Sequence, residues 1–196
     1  MIADACNIAC NKIFDETTNS WIDNGISQPT VFISTELEIS ELQTMALAFL
    51  SNVNEEHILT ASYDFGELER VKEAAKILSS SPLYVEEIPD FSLRDIENII
   101  KRNIRTHACQ YVFFDYIHTS MKILEEISSR SGGVKLREDN ILFLLSVKLK
   151  DLCNEFGIFI LSGTQLNADW KTSDIPDQNL LRGAKSIADW AKRYKI

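Results

Sequence analysis

The sequence lacks the features that mark membrane, secreted and zinc-binding proteins. No stretch approaches the ~18 consecutive apolar residues that a membrane-spanning helix requires. The first ten residues, MIADACNIAC, contain no basic segment of the kind that begins a secretory signal. The cysteines show no CxxC spacing, which argues against a zinc site and a disulfide framework. These absences predict a protein of the reducing cytoplasm that makes no membrane contact.

Positive charge is scarce as well. The 196 residues include 20 basic and 29 acidic side chains, which gives a net charge of −9. An acidic surface repels nucleic acid on average, and this excludes a protein that coats DNA through electrostatics alone. From Arg182 onward the balance reverses, since the bases there face a single acid, Asp189. The sequence therefore leaves room for a local loop that holds a nucleic-acid backbone.

Apolar strands alternate with amphipathic helices along the chain. Strands are predicted for TVFIST (30–35), PLYVEEI (82–88), YVFFD (111–115) and IFILSGT (158–164). Because these strands are apolar throughout rather than alternately polar, they predict a parallel sheet covered by helices on both faces, an α/β fold. No repeat or linker divides the sequence, so residues 1–196 are predicted to form a single domain.

Capping signals predict where several helices begin and end. Apolar spacing predicts a helix over residues 1–15, and a capping-box pattern at Ser40 predicts the start of a second helix. Ser92 is predicted to cap the start of a third helix, and Gly157 to end a fourth. Further helices are predicted near 54–59 and 66–80. Loops are predicted at 16–29, as a mobile segment at 121–139, and after residue 165 before a short terminal helix.

Polar side chains follow three of the predicted strands. Glu36 comes after the first strand, Asp115 ends the third, and Gln165 follows the fourth. Open parallel sheets bind ligands outside the carboxyl ends of their strands. If the strands are parallel and adjacent, these three side chains project from one edge of the sheet.

These side chains suit the hydrolysis of a nucleoside triphosphate. A carboxylate such as Asp115 can hold the water shell of Mg²⁺. A second carboxylate, Glu36, can orient and deprotonate the attacking water. The amide of Gln165 can bond to the γ-phosphate and report its presence.

Each of these residues also has a simpler interpretation. Asp115 can be a residue that ends a strand in a turn, because Asp bonds readily to nearby backbone. Glu36 can belong to the start of the next helix, where acids suit the helix dipole. Gln165 can be a polar loop residue. His118 is interpreted as a buried or hydrogen-bonded residue at a strand end rather than a metal ligand, because the other histidines lie at no helpful spacing.

Five stretches resemble, in order, the C-terminal ATPase domain of DnaB-type replicative DNA helicases: TVFISTELEISELQTMALAFLSNV, SSPLYVEEIPDFSLRDIENIIKR, YVFFDYIHT, LREDN…LSVKLKDLCNEFGIFILSGTQLN and LLRGAKSIADWA. The resemblance runs over nearly the whole chain from about residue 30. It implies a RecA-like P-loop NTPase core that uses ATP and Mg²⁺. By the same resemblance, Glu36 is the catalytic glutamate, Asp115 the Walker B aspartate that holds Mg²⁺ through water, and Gln165 the γ-phosphate sensor.

The resemblance also implies partners. Arg182, Gly183 and Lys185 match the second DNA-binding loop of the family, and the Ser-Arg-Ser-Gly-Gly stretch that contains Arg130 lies where the first loop would be. The implied partners are single-stranded DNA and further copies of the chain in a hexameric ring. The implied function is ATP-driven translocation on single-stranded DNA and duplex unwinding. His118 stands where the family often has Gln.

One family motif is missing from the sequence. No GxxxxGK[ST] phosphate-binding loop occurs in the 196 residues. We therefore expect a fragment of the RecA-like core, truncated at both ends, that binds ATP poorly and hydrolyses it negligibly by itself. Two other functions stay open: another RecA-type ATPase, of the recombination or clock type, and a catalytically dead RecA-like module that binds partner subunits.

Overall fold

The computed structural model describes residues 1–130 and 137–165. Within these ranges the chain forms seven helices and six strands. The helices are α1 (Ile2–Ala9), α2 (Ile39–Ser51), α3 (Glu55–Thr60), α4 (Glu67–Ser80), α5 (Leu93–His107), α6 (Met121–Arg130) and α7 (Glu138–Phe156). The strands are β1 (Lys12–Asp15), β2 (Ser20–Asp23), β3 (Thr30–Ser34), β4 (Leu83–Glu87), β5 (Tyr111–Ile117) and β6 (Phe159–Thr164).

The main sheet has four parallel strands in the order β4-β3-β5-β6. The central strand β3 pairs with β4 on one side and β5 on the other, so Phe32 lies opposite both Val85 and Phe113. All four strands end on the same side, which we call the carboxyl edge of the sheet. The parallel α/β sheet predicted from the apolar strands is confirmed.

Side chains of β3 and β5 alternate between two apolar clusters, one on each face of the sheet. The α5–α7 cluster contains Val31, Ile33, Val112 and Phe114, packed against helices α5, α6 and α7. The α1–α2 cluster contains Phe32 and Phe113, stacked with ring centroids 6.2 Å apart, together with residues of α1, α2 and α4. Both faces of the sheet are therefore covered by helices, as predicted.

Strands β1 and β2 form an antiparallel hairpin, so the predicted helix over 1–15 is wrong beyond Ala9 and the predicted loop at 16–29 is wrong at Ser20–Asp23. Helix α1 ends at Ala9. The Asp15 carboxylate makes the turn, because it accepts hydrogen bonds from the Thr17 amide at 3.1 Å and the Thr18 hydroxyl at 2.7 Å. Phe14 and Trp21 lie opposite each other, with ring centroids 5.6 Å apart.

Two further sequence predictions need correction. Helix α2 begins at Ile39, and its capping box joins Glu38 to Glu41 rather than opening at Ser40. Residues Met121–Arg130 form helix α6, so this part of the predicted loop at 121–139 is wrong. An apolar stripe that includes the buried Ile123 and Ile127 holds α6 on the sheet.

The other helix boundaries follow their sequence signals. Ser92 caps α5 by accepting a hydrogen bond from the Asp95 amide at 3.1 Å, as predicted. Gly157 ends α7 in the left-handed region, at φ 63°, as predicted. The predicted loop and helix after residue 165 lie outside the described residues. Across the described residues, no helix combines the length and apolar content needed to cross a bilayer.

Candidate functional site at the carboxyl edge of the sheet

The ends of three neighbouring strands bring the predicted site residues to one edge. Ser34, the last residue of β3, lies opposite Asp115 of β5. Glu36 follows two residues after β3, before α2 begins, and Gln165 follows directly after β6. Because β3, β5 and β6 are parallel and adjacent, Glu36, Asp115 and Gln165 share the carboxyl edge. The side chains are not scattered over the molecule.

A tyrosine hydroxyl joins two of these side chains. Tyr116 Oη donates a hydrogen bond to Glu36 Oε1 at 2.6 Å. Gln165 Nε2 in turn donates to Tyr116 Oη. Glu36 and Gln165, which are 129 positions apart in the sequence, are therefore linked through one hydroxyl. Sequence reasoning missed Tyr116 altogether.

A buried threonine fixes the backbone next to the carboxylate. Thr35 Oγ1 donates to the Asp115 carbonyl at 2.9 Å and accepts from the Tyr116 amide at 3.2 Å. The Thr35 amide donates to the same carbonyl at 2.9 Å. Thr35 is 2% exposed, so these bonds are shielded from water. The peptide bond between Asp115 and Tyr116 that they hold is cis.

A β-bulge shapes strand β5 at the same point. Phe114 pairs with Ser162 and Ile117 with Thr164, so two residues of β5 oppose the single residue Gly163 of β6. Those two residues are Asp115 and Tyr116. A bulge places an extra residue and re-aims the neighbouring side chains. The bulge falls at Asp115 and Tyr116, two residues of β5 close to the carboxyl edge.

The Asp115 carboxyl is half-buried at this edge, and burial raises its pKa above the usual value. The negative charge of Glu36 adds to this shift. A carboxylate held at this electrostatic cost gains from a nearby cation, which restores the stabilisation lost with water. Carboxylate oxygens are also the ligands that Mg²⁺ prefers. The donor set therefore fits a magnesium ion.

His118 packs beside the site rather than projecting from it. Its ring contacts Phe91 edge-on, with centroids 5.0 Å apart, and tilts against Tyr116 at 5.1 Å. Nδ1 lies 3.1 Å from the Thr119 carbonyl, which assigns the proton to Nδ1. Nε2 is buried and has no hydrogen-bond partner among the described residues. The ring lines a cavity of about 230 Å³ that also reaches Gln165.

The residues predicted to bind DNA are placed only in part. Arg130 ends α6, where its guanidinium pairs with Glu126 at 2.7 Å and remains 67% exposed. Glu126 is largely covered and also accepts a hydrogen bond from the Leu93 amide at 2.8 Å. Arg182, Gly183 and Lys185 lie outside the described residues.

Comparison with known proteins identifies relatives over most of the chain. The family model "DnaB-like helicase C terminal domain" matches residues 5–191. An uncharacterized protein of Bacillus subtilis strain 168, the SPbeta prophage-derived YorI, is 43% identical over 193 residues, which are 96% of this chain and 38% of that protein. The replicative DNA helicase DnaB of Treponema pallidum strain Nichols is 26% identical over 89 residues, which are 45% of this chain and 20% of that helicase.

Solved structures show the same fold. A DnaB-like replicative helicase, studied with its interactions with primase, superposes with a TM-score of 0.69 at 14% identity, over 83% of this chain and 38% of that one. A second solved structure, an ATPase domain, gives 0.68 at 16% identity, over 83% of this chain and 56% of that domain. This chain thus spans well under two thirds of these relatives. The family match over residues 5–191 shows that the chain belongs to the DnaB-like helicase C-terminal domain family.

Proposed function

We propose that this chain is the ATPase core of a DnaB-type helicase, which couples ATP hydrolysis to translocation on single-stranded DNA and to duplex unwinding. The observation that carries the proposal is the convergence of Glu36, Asp115 and Gln165 on the carboxyl edge of a parallel sheet. This is the edge at which open parallel sheets bind ligands. Family membership supports the same activity.

The residues present fit a metal–triphosphate ligand. Asp115 would hold Mg²⁺ through its water shell, and the ion would neutralise charge that develops on the phosphates. Glu36 is exposed and lies beside Asp115, so its carboxylate is available to accept a proton from the attacking water. Gln165 presents an amide donor to the same edge. The 196 residues contain no GxxxxGK[ST] loop of the kind that cradles the phosphates.

The proposed partners are single-stranded DNA and further copies of the chain. Arg182 and Lys185 supply local positive charge on a chain whose net charge is −9. Binding that depends on a few phosphate contacts weakens as salt is raised. Self-association into a hexameric ring would place a neighbouring subunit against each site, since rings form through head-to-tail interfaces.

The test uses the full-length natural protein that contains this chain. We expect DNA-stimulated ATP turnover to fall at least about a hundredfold in Glu36→Gln, because the amide cannot accept the proton of the attacking water. ATP affinity, measured by calorimetry, should stay close to that of the unchanged protein. Glu73→Gln, on the exposed surface of α4, is the matched control and should keep full turnover.

Three results would overturn the proposal. Turnover that survives in Glu36→Gln removes the assigned base. A full-length protein that binds single-stranded DNA and its own copies, yet shows no ATP turnover in the unchanged form, identifies a catalytically dead interaction module. Turnover that ignores single-stranded DNA indicates a RecA-type ATPase of another kind.

A further inference from the structure

The hydroxyl of Tyr116 is held in a fixed position between two site residues. Its backbone amide is anchored on the buried Thr35 hydroxyl, and its ring packs against His118. Gly163 faces it from β6, where a side-chain Cβ would come within 3.7 Å of Tyr116 Cβ. The phenol is therefore positioned by its surroundings as well as by the two groups it bonds.

The chemistry of the three groups sets the direction of the hydrogen bonds. A carboxylate only accepts, so the single phenol proton must go to Glu36. The Gln165 amide nitrogen only donates, so it must use a lone pair of the phenol oxygen. Donation by Gln165 polarises the phenol and strengthens the bond from Tyr116 to Glu36. A change at Gln165 is thereby felt at Glu36.

We propose that Tyr116 is a positioning residue that couples the amide of Gln165 to the carboxylate of Glu36. Polarised by the Gln165 amide, the phenol holds the Glu36 carboxylate where it can meet the attacking water. Without the hydroxyl, the exposed Glu36 side chain can turn away from that position. The catalytic effect of this coupling rests on the proposed function. The hydrogen bonds that link Gln165, Tyr116 and Glu36 do not depend on that function.

A purely structural role predicts different behaviour. Glu36 and Gln165 are both exposed, and hydrogen bonds between exposed groups add little to folding because water competes for them. Tyr116→Phe keeps the ring and its contact with His118 while removing the hydroxyl. We therefore expect the melting temperature of Tyr116→Phe to change by no more than about 2 °C.

The first experiment needs no activity and uses this chain. The side-chain amide signal of Gln165 is followed by two-dimensional NMR in four proteins: unchanged, Glu36→Gln, Tyr116→Phe, and both substitutions together. We expect Glu36→Gln to shift the Gln165 signal when Tyr116 is present and to leave it in place in Tyr116→Phe. Equal shifts in both backgrounds, or none in either, would overturn the relay.

The second experiment measures turnover in the full-length protein. We expect Tyr116→Phe to lower kcat by about tenfold with little change in KM for ATP. The substitution removes the hydrogen bond that positions the charged Glu36 for the attacking water, and it leaves the residues proposed to bind ATP unchanged. Tyr84→Phe is the control. Its hydroxyl makes no hydrogen bond to another described residue, and kcat should stay within about twofold.

The two experiments separate the possible failures. In Glu36→Gln, adding Tyr116→Phe should lower kcat no further, since the hydroxyl acts through Glu36. A further tenfold loss in that background would contradict the proposal. If the unchanged protein has no turnover but the Gln165 signal responds as expected, the proposed function fails and the relay stands.

Discussion

At the scale of single residues, Asp115 shows a conflict between stability and chemistry. Its carboxyl is half-buried beside Glu36, and burial raises its pKa. The charged form that a magnesium ion needs is thus the form that the fold disfavours. Groups that destabilise the fold while serving a ligand are common at functional sites. Strand β5 continues to Ile117, so Asp115 does not end the strand as the sequence predicted.

We predict that Asp115→Asn is more stable than the unchanged protein at pH 7. The raised pKa means that the ionised carboxylate carries a cost above that pKa, and the neutral amide does not. The advantage should shrink as pH falls and Asp115 becomes protonated. Urea unfolding between pH 7 and pH 4 measures it, with the exposed Asp151→Asn as control. A loss of stability at pH 7 would contradict the electrostatic argument.

The residue-level geometry could be predicted only in part. The carboxylates and the amide were identifiable because each follows an apolar run of residues in the sequence. Thr35 and Tyr116 were not, because their functional partners lie about 80 or 50 positions away and meet only in the folded sheet. The bulge at Asp115 and Tyr116 leaves no signal in an apolar run.

At the scale of elements, an ion network joins helices α5 and α7. Glu97 accepts from Lys101 of α5 and from Lys148 of α7, each at 2.6 Å. The two ammonium groups lower the pKa of the Glu97 carboxyl to about 2. Lys101 also approaches Glu155 of α7 at 3.7 Å. One carboxylate thus ties together two of the three helices that cover one face of the sheet.

We predict that Glu97→Gln lowers the free energy of unfolding at pH 7 and that the loss disappears in acid. A lowered folded pKa stabilises the fold above the unfolded value of 4.5, and this contribution is lost as pH falls towards 2. Urea unfolding from pH 7 to pH 3 measures the difference. Glu73→Gln, which breaks an exposed pair within α4, should change little at any pH. A pH-independent difference for Glu97→Gln would exclude an ionic cause.

The ends of helices could be predicted from the sequence where capping residues agree with the final packing. Ser92 and Gly157 mark real helix ends because capping depends on a few neighbouring residues. The β1–β2 hairpin was missed because Ile13 continues the helical spacing of α1, so periodicity alone favours a longer helix. The contact between Phe14 and Trp21 stabilises the hairpin. These two residues meet only after the turn between β1 and β2 has formed, so helical periodicity does not reveal the contact.

At the scale of the whole molecule, one sheet connects two apolar clusters. Adjacent residues of β5 serve opposite faces, since Phe114 lies in the α5–α7 cluster and Phe113 in the α1–α2 cluster. Strand β3 does the same with Ile33 and Phe32. Neither cluster can lose its packing without disturbing the strands that the other requires. We infer that the described part of the chain unfolds as one cooperative unit.

We therefore predict that Phe113→Leu and Phe114→Leu act on both faces of the sheet. Each removes buried ring atoms and should cost roughly 1–2 kcal/mol of unfolding free energy, whereas Phe159→Leu, at a site 53% exposed, should cost under about 0.5 kcal/mol.

Native-state hydrogen exchange measures which helices lose stability. The slowest amides of α2 and α5 should exchange about ten times faster in either buried variant, because both helices open only with the shared sheet. Acceleration confined to α2 in Phe113→Leu, or to α5 in Phe114→Leu, would mean that the two faces unfold separately. The α1–α2 cluster and the α5–α7 cluster would then stabilise the site at the carboxyl edge independently of each other.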